Sequence, residues 1–442
     1  MSDNRNNSII KKNVAAAFAI KGLSLCISLL TMPSYISYFN DQAVLGVWFT
    51  LLSILNWVLS FDLGMGNGLR NHLAIAIAAN DKREQKTLIS SAYLSNGVLS
   101  LVFALIGFLA LPHFDWGLIL GVDGGLLKPD AIRLAVTSVY LAVVLQLFLR
   151  LASFIAYALQ MSFMNNLISL ITNSLLLVSV HFLPADIDVS LKLTNLAVCY
   201  FVLVNLPLVI LSIGLFSFSM KGMLPSPKFV KLSSMKKVTS LGGVFFFAQI
   251  EYMVLINTNE FFISTFISPE AVVEYQEYYR IFSLVGTAIS LSLSPIWSVV
   301  TKTYAERDYS YLRSLYKKLK LLGLSALPLS IITAVMLPFI FSIWLGSQAP
   351  IITTDSLVIF IIFGAAFAYQ SVLSTFACGM SSMRTQVICY LFGCIFKVLV
   401  LVTVLPIYPM WQLVVLTTAI CLVGYCAMQQ YVINGAMKLL DE

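Results

Sequence analysis

With the charges at the edges of apolar stretches (Arg133, Arg280, Lys320 and Asp355) set aside, five charged side chains lie inside such stretches and a sixth, Asp62, lies at the end of one. The six are Lys21, Asp62, Arg150, Glu251, Glu260 and Lys397. A charge in a hydrocarbon environment costs several kcal/mol, so such groups normally face a cavity or a partner. Buried bases could bind an anion, whereas a buried carboxylic acid could carry a proton. These residues are therefore the first candidates for function.

Helical spacing places the three bases on polar stripes. Residues three, four or seven positions apart share one face of a helix. Arg150 follows this pattern with Gln146, Ser153, Tyr157 and Gln160; Lys21 does so with Ser24, Ser28 and Tyr35; Lys397 does so with Gln386 and Tyr390. Three separate helices with one cation each predict a cationic cavity between the two helical bundles to which they belong.

Other interpretations of these charges stay open. Lys21 lies about two turns from the start of its helix and could snorkel to the interface. Arg150 could form a structural ion pair with a buried acid. Glu251 and Glu260 are nine residues apart and lie on opposite faces of a straight helix, so they line one cavity only if the helix breaks. Glu251 could carry a coupling proton or form a fixed ion pair.

Composition identifies the elements that hold these residues. Of the 442 residues 59% are hydrophobic and 11% are charged, where a soluble protein has about 25% charged residues. The mean hydropathy is +0.90. These values exclude a soluble enzyme, a disordered protein and a secreted disulfide scaffold, and they predict an all-α polytopic membrane protein. Windows of about 19 residues give twelve spans, at 14–38, 44–62, 87–111, 133–159, 165–183, 193–219, 240–262, 278–300, 320–344, 355–378, 385–405 and 411–435.

Loop charges predict the orientation. With the N-terminus in the cytoplasm, 20 of the 27 Lys and Arg residues lie on the inner side. This bias favours an even number of spans with both termini cytoplasmic. The basic inner segment 221–239 predicts a linker between an N-terminal six-helix bundle, 1–220, and a C-terminal one, 240–442. Two such bundles facing a central cavity are typical of transporters.

Two other patterns do not indicate a cofactor. The glycines of Asp62-Leu63-Gly64-Met65-Gly66-Asn67-Gly68 follow a membrane span and lack the third glycine of a dinucleotide-binding loop. We interpret them as a helix end or hinge. The seven cysteines and three histidines show no metal-ligand spacing. We therefore expect no cofactor, no metal and no nucleic-acid partner.

Short motifs give the chain a family resemblance. They are Lys12-Asn13 before the first span, Leu45-Gly46-Val47-Trp48, Phe61-Asp62-Leu63-Gly64-Met65-Gly66-Asn67-Gly68-Leu69-Arg70-Asn71, and Ser294-Pro295-Ile296-Trp297. With the twelve-span plan they resemble the Wzx-type flippases of lipid-linked oligosaccharides, a polysaccharide-export branch of the multidrug/oligosaccharidyl-lipid/polysaccharide superfamily.

The resemblance implies a cargo and a set of partners. The expected cargo is an undecaprenyl-pyrophosphate-linked repeat unit of O-antigen or a related polysaccharide, moved from the inner to the outer leaflet of a bacterial cytoplasmic membrane by alternating access. Implied partners are membrane lipid and the polymerase and chain-length proteins of the same pathway. On this view Arg150, Lys397, Lys21 and Arg280 hold the anionic head group, and Asp62, Glu251 and Glu260 serve gating or ion coupling.

Two rival functions are considered. A multidrug or metabolite antiporter of the same superfamily would favour an acidic or aromatic cavity for cationic drugs, but the first half carries Lys21 and Arg150. A membrane polysaccharide polymerase would need a substantial outer loop, whereas the longest one, 111–130, is short and glycine-rich. We therefore predict a flippase rather than an enzyme.

Overall fold

The computed structural model describes residues 2–62, 64–122, 125–159, 161–240, 242–305, 307–380 and 382–439. Throughout this part of the chain the regular secondary structure is helical, with no β-strand. The predicted fold class, an all-α polytopic membrane protein, is confirmed. The α-helices are α1 Ser2–Phe39, α2 Gln42–Asn56, α3 Met65–Ala78, α4 Lys82–Ala110, α5 Trp116–Ile119, α6 Pro129–Leu149, α7 Leu151–Ala158, α8 Ser162–Phe182, α9 Val189–Gly214, α10 Leu232–Ser240, α11 Gly242–Ile256, α12 Asn259–Phe266, α13 Pro269–Ala305, α14 Tyr309–Leu324, α15 Ala326–Trp344, α16 Thr354–Gly379, α17 Arg384–Val404 and α18 Trp411–Leu439.

Ten helical segments of the described chain are long and apolar enough to cross a bilayer. They correspond to ten of the twelve predicted spans. The seventh predicted span is divided into α11 and α12, which are separated by Asn257 and Thr258. The eighth corresponds to α13, several of whose side chains between 291 and 302 lie outside the described part. The count of twelve stays a prediction.

Backbone contacts divide the chain into two compact units, Met1–Phe246 and Phe247–Glu442. The basic segment 221–239, predicted as a linker, is packed against the first unit. Lys86 Nζ donates to Gly222 O at 2.9 Å, and the backbone N–H of Lys231 donates to Ser91 Oγ at 3.1 Å. Helix α10, within this segment, lies against α3 at Val238 and Gly68. The linker therefore belongs structurally to the first unit.

The glycine segment, interpreted from the sequence as a helix end or hinge, lies at a helix boundary, where it begins α3. Gly64 precedes α3 with φ of 70°, in the left-handed region that favours glycine. The Asp62 carboxylate accepts a hydrogen bond from the Gly64 N–H at 2.9 Å. Gly66 and Gly68 are needed for close packing, since a Cβ would lie 2.0 Å from the Phe154 ring or from Val238 O. This segment positions the N-terminal end of α3 against α7 and α10.

The second unit is built around a cluster of buried aromatic residues. Tyr278 stacks on Phe360 with ring centroids 5.3 Å apart, and Trp411 lies 6.0 Å from Phe360. These residues join α13, α16 and α18, which form the centre of this unit. Large buried rings contribute strongly to packing, so the aromatic cluster holds α13 in place beside its neighbours.

Candidate functional site

A polar cavity of about 370 Å³ lies within the first unit, between α6, α7, α8 and α9. A cavity of this size accommodates part of a small-molecule ligand. One wall belongs to α6 and α7, and the facing wall belongs to α8. The lining residues are Gln146, Arg150, Ser153, Phe154, Tyr157, Asn165, Ile168, Ser169, Thr172, Asn173, Val204 and Leu208.

The first wall is the polar stripe that the sequence predicted. Gln146, Arg150, Ser153 and Tyr157 all line the cavity, while Gln160 falls outside the described residues. Arg150 lies at the junction between α6 and α7, where the regular helix is interrupted for one residue. The helical period therefore grouped residues that share one cavity wall, although this cavity lies among helices of the first unit, and the cationic cavity predicted between the bundles stays a prediction.

Arg150 has no carboxylate partner within ion-pair distance in the described part of the chain. The ion pairs found there are Lys128–Asp188 at 3.5 Å and Lys237–Glu84 at 3.6 Å. Asp62 shares with Arg150 a small recess that also includes Asn96. The structure thus brings Asp62 and Arg150 together but leaves the guanidinium available to the cavity.

A second cation contacts an aromatic residue of the cavity wall. The Arg70 guanidinium lies 4.9 Å from the centroid of the Tyr157 ring, within the range of a cation–π interaction. Arg70 is an exposed residue of α3 and formed part of the sequence motif, although it was not proposed as a site residue. The electrostatic character of this region is therefore cationic.

The wall formed by α8 was missed in the sequence. Asn165, Ser169, Thr172 and Asn173 are spaced by four, three and one residues, so they share one helical face, and this spacing could have identified them. The buried Oδ1 atom of Asn165 has no hydrogen-bond partner among the described residues, while its Nδ2 donates to Ser153 O at 3.2 Å. The hydrogen bond from Asn165 to Ser153 therefore holds the α8 wall against α7.

Lys21 does not line this cavity. It lies on α1 with an intermediate exposure, one turn before Ser24. Ser24 Oγ is 3.1 Å from Ser169 Oγ and also accepts from Asn173 Nδ2 at 3.1 Å. The stripe on α1 is therefore used to hold α1 against α8. A role for Lys21 in head-group binding stays a prediction that the cavity does not support.

Lys397 is fully buried in the second unit. Its ammonium donates to Leu255 O at 2.7 Å, Asn259 Oδ1 at 2.6 Å, and Val254 O and Thr258 Oγ1 at 3.2 Å each. These oxygens surround the interruption between α11 and α12. The carbonyl groups at the end of a helix lack intrahelical donors, so Lys397 supplies the donors that the interruption requires. In this structure its ammonium donates hydrogen bonds to four protein oxygens.

The interruption between α11 and α12 separates Glu251 from Glu260. The helix therefore does break, which was the condition for both acids to share a cavity. Glu251 is buried on α11 with its Oε2 atom unpaired in the described chain. Glu260 is buried on α12 and accepts from Gln276 Nε2 at 2.5 Å. Arg280 lies one turn after Glu277 on α13, and Glu277 is a buried acid that sequence reasoning missed.

The described residues form no metal site. No three His, Cys, Asp or Glu side chains come together there in a way that could hold a metal ion. The predicted roles of Lys397, Arg280, Glu251 and Glu260 in binding or coupling stay predictions. Of the proposed head-group residues, Arg150 lines the polar cavity described above.

Comparisons with known proteins identify the fold. No family model and no curated protein matches the sequence. An inward-facing multidrug resistance MATE transporter of the MOP superfamily is similar in structure, with a TM-score of 0.74 and 14% identity over 96% of this chain and 99% of that chain. A Vibrio cholerae MATE transporter in the bent form has a TM-score of 0.64 and 12% identity over 98% of each chain.

A third similar structure is a MOP superfamily transporter from Pyrococcus furiosus, described by the reversed polarity of its binding pocket. Its TM-score is 0.67, with 14% identity over 98% of this chain and 97% of that chain. At such low identities the likeness establishes the fold alone. The chain therefore has the fold of MOP-superfamily transporters, which agrees with the coarser part of the resemblance in its sequence.

Proposed function

We propose that this protein is a flippase that moves an undecaprenyl-pyrophosphate-linked oligosaccharide from the inner to the outer leaflet of a bacterial cytoplasmic membrane by alternating access. The observation that carries the proposal is the polar cavity with Arg150 on its wall. A pyrophosphate is an anion, and an arginine can bind its oxygens through two parallel hydrogen bonds. The transporter fold supports a transport role rather than an enzymatic one.

The cavity also suits the sugar part of the cargo. Amide and hydroxyl groups of Asn165, Asn173 and Thr172 offer donors and acceptors for sugar hydroxyls. An arginine beside neutral polar groups therefore matches a ligand with one anionic and one sugar-like end.

A cation-coupled multidrug or metabolite antiporter is the second candidate. Two similar structures are described as multidrug resistance or MATE transporters. Buried acids are present in the second unit at Glu251, Glu260 and Glu277, and such acids could carry a coupling ion. The cation on the wall of the first-unit cavity favours an anionic cargo over a cationic drug.

The proposal is tested by locating the cargo in cells. In a strain that lacks the protein, sugar-loaded undecaprenyl pyrophosphate should accumulate on the cytoplasmic face of the membrane. Wild type should relieve this accumulation, and Arg150→Gln should fail to do so at an equal protein level. Losing charged hydrogen bonds of about 1.5–3 kcal/mol should weaken head-group binding by roughly 10–100-fold.

Arg133→Gln is the matched control for this experiment. Arg133 is on the same helix, α6, but it is exposed and does not line the cavity. The control should restore export as wild type does. Accumulation on the outer face would indicate a polymerase instead, and normal lipids with altered drug sensitivity would indicate the antiporter.

A further inference from the structure

A second cavity of about 340 Å³ adjoins the polar one in the first unit. Its walls come from the neighbouring helices α8 and α9 and from the single π-helical turn Leu215–Ser219 that follows α9. All but two of its lining residues carry apolar side chains. They are Met161, Met164, Leu167, Ile168, Ile171, Pro207, Ile210, Leu211, Gly214, Leu215, Phe218 and Ser219. We refer to this set as the apolar groove.

The apolar groove and the polar cavity share a wall. Ile168 lines both of them. On α8, Asn165 and Thr172 face the polar cavity, whereas Leu167 and Ile171 face the groove. On α9, Leu208 lines the cavity and Leu211, one turn later, lines the groove. Helices α8 and α9 therefore line the apolar groove on one side and, facing the α6–α7 wall with Arg150, the polar cavity on the other.

We infer that the apolar groove holds the polyprenyl chain of the same lipid whose pyrophosphate binds at Arg150. This inference rests on the proposed function and names the second half of the binding site. A lipid-linked sugar is anionic and polar at one end and apolar along its chain, so it needs these two environments next to each other. The shared wall at Ile168 provides that juxtaposition.

The shape of the groove distinguishes it from ordinary lipid-facing helix surface. Pro207 interrupts the hydrogen bonding of α9, and the π-helical turn follows at Leu215. Such π-turns occur frequently at functional sites. The buried side chains of Leu211 and Leu215 form the floor, while Phe218 is 84% exposed at the rim. Met161 and Met164 add flexible side chains that adapt to irregular ligands.

Gly214 offers a way to fill the groove without disturbing the fold. A Cβ built at Gly214 meets no atom within 4 Å, so a larger side chain would extend into open space. Gly424 on α18 has the same property and is exposed. Gly214→Leu therefore occupies the groove, and Gly424→Leu is a matched control with the same chemical change on a different helix.

The test uses a polyprenyl pyrophosphate with a photoreactive diazirine in its chain. The full-length protein is reconstituted in vesicles of phosphatidylethanolamine and phosphatidylglycerol, illuminated, and analysed by peptide mass spectrometry. Labels should concentrate in residues 161–171 and 207–219. Since each buried methylene changes an equilibrium constant by roughly fourfold, Gly214→Leu should lower labelling there on the order of tenfold, and Gly424→Leu should leave it unchanged.

A second variant and a second probe keep the inference falsifiable. Met164→Gln makes the wall polar without adding volume, and it should also reduce labelling. A phosphatidylglycerol with the same diazirine chain should label the groove weakly and be displaced by the polyprenyl compound. Equal labelling by both probes would identify the groove as a site for bilayer lipid, and unchanged labelling in Gly214→Leu would also overturn the inference.

The outcome separates the groove from the proposed function. If labelling is lost in Gly214→Leu but unaffected by Arg150→Gln, binding of the polyprenyl chain in the apolar groove stands, and the role of Arg150 in head-group binding is refuted. If labelling falls in Arg150→Gln but is unchanged in Gly214→Leu and Met164→Gln, the proposed flippase function stands, and binding of the polyprenyl chain in the apolar groove is refuted.

Discussion

Arg150 and Lys397 show how the surroundings of a residue determine what its charge does. Both bases lie within apolar spans on polar stripes. Arg150 lines a cavity and has no ion pair in the described chain. Lys397 is fully buried, and four protein oxygens accept from its ammonium. The Arg150 guanidinium is available to a ligand, whereas the Lys397 ammonium bonds the oxygens at the interruption between α11 and α12.

Replacing Lys397 should destabilise the protein. Lys397→Met leaves the carbonyl oxygens of Val254 and Leu255 and the Oδ1 atom of Asn259 without this donor in a buried site. Each of these oxygens keeps a second donor, the hydroxyl of Thr258 or Thr418, so the expected loss is that of the charged hydrogen bonds, about 1.5–3 kcal/mol. Thermal unfolding of purified protein in detergent should show a lower midpoint.

Lys317→Met provides the comparison for this variant. Lys317 is exposed on α14, so the same chemical change there should leave the midpoint within error of wild type. If Lys397→Met unfolds at the wild-type temperature but fails in transport, the ammonium serves the cargo and the structural role assigned to it is wrong.

At the scale of elements, close contacts between helices depend on the absence of side chains. The contact between α3 and α10 is made where Gly68 meets the backbone of Val238. Protein interiors are close-packed and accommodate added atoms poorly. The segment that the sequence suggests as a linker is therefore held to the first unit by a contact that permits only glycine.

Gly68→Ala should weaken this contact. The new Cβ would lie 2.0 Å from Val238 O, so α10 must move, at a cost of about 1–3 kcal/mol. Gly22→Ala on α1 meets no atom within 4 Å and should be neutral or stabilise by up to about 1 kcal/mol. Denaturation midpoints that are equal for the two variants would contradict this account.

At the scale of the whole molecule, the distribution of basic residues predicts an orientation in the membrane. The loop 183–188 should face the outside, and the segment 221–228 should face the cytoplasm. Asp186 and Lys228 are both exposed. A membrane-impermeant maleimide added to intact cells should label Asp186→Cys, and it should label Lys228→Cys only after the membrane is opened.

These labelling experiments need a defined background. The described cysteines are free, and Cys26 is exposed, so Cys26→Ser is the parent for both variants. Labelling of Lys228→Cys in intact cells would show that the orientation is opposite to the predicted one. It would also contradict the proposal that cargo enters the polar cavity from the cytoplasmic side.

The sequence by itself determined the class of fold and one wall of the site. About 20 apolar residues are needed to cross a bilayer, so membrane-spanning helices can be read from composition along the chain. The period of a helix then identifies residues on a common face, which is why Arg150 and Ser153 were grouped correctly. Spacing shows which residues share a face.

Only the tertiary structure decided what each face meets. The stripe on α6 meets a cavity, whereas the stripe on α17 meets the interrupted helix between Ile256 and Asn259. Carbonyl groups without intrahelical donors exist there because α11 ends at Ile256 and α12 begins at Asn259. Helical spacing in the sequence does not predict such an interruption. The adjacency of the polar cavity and the apolar groove likewise depends on how α8 packs against α9.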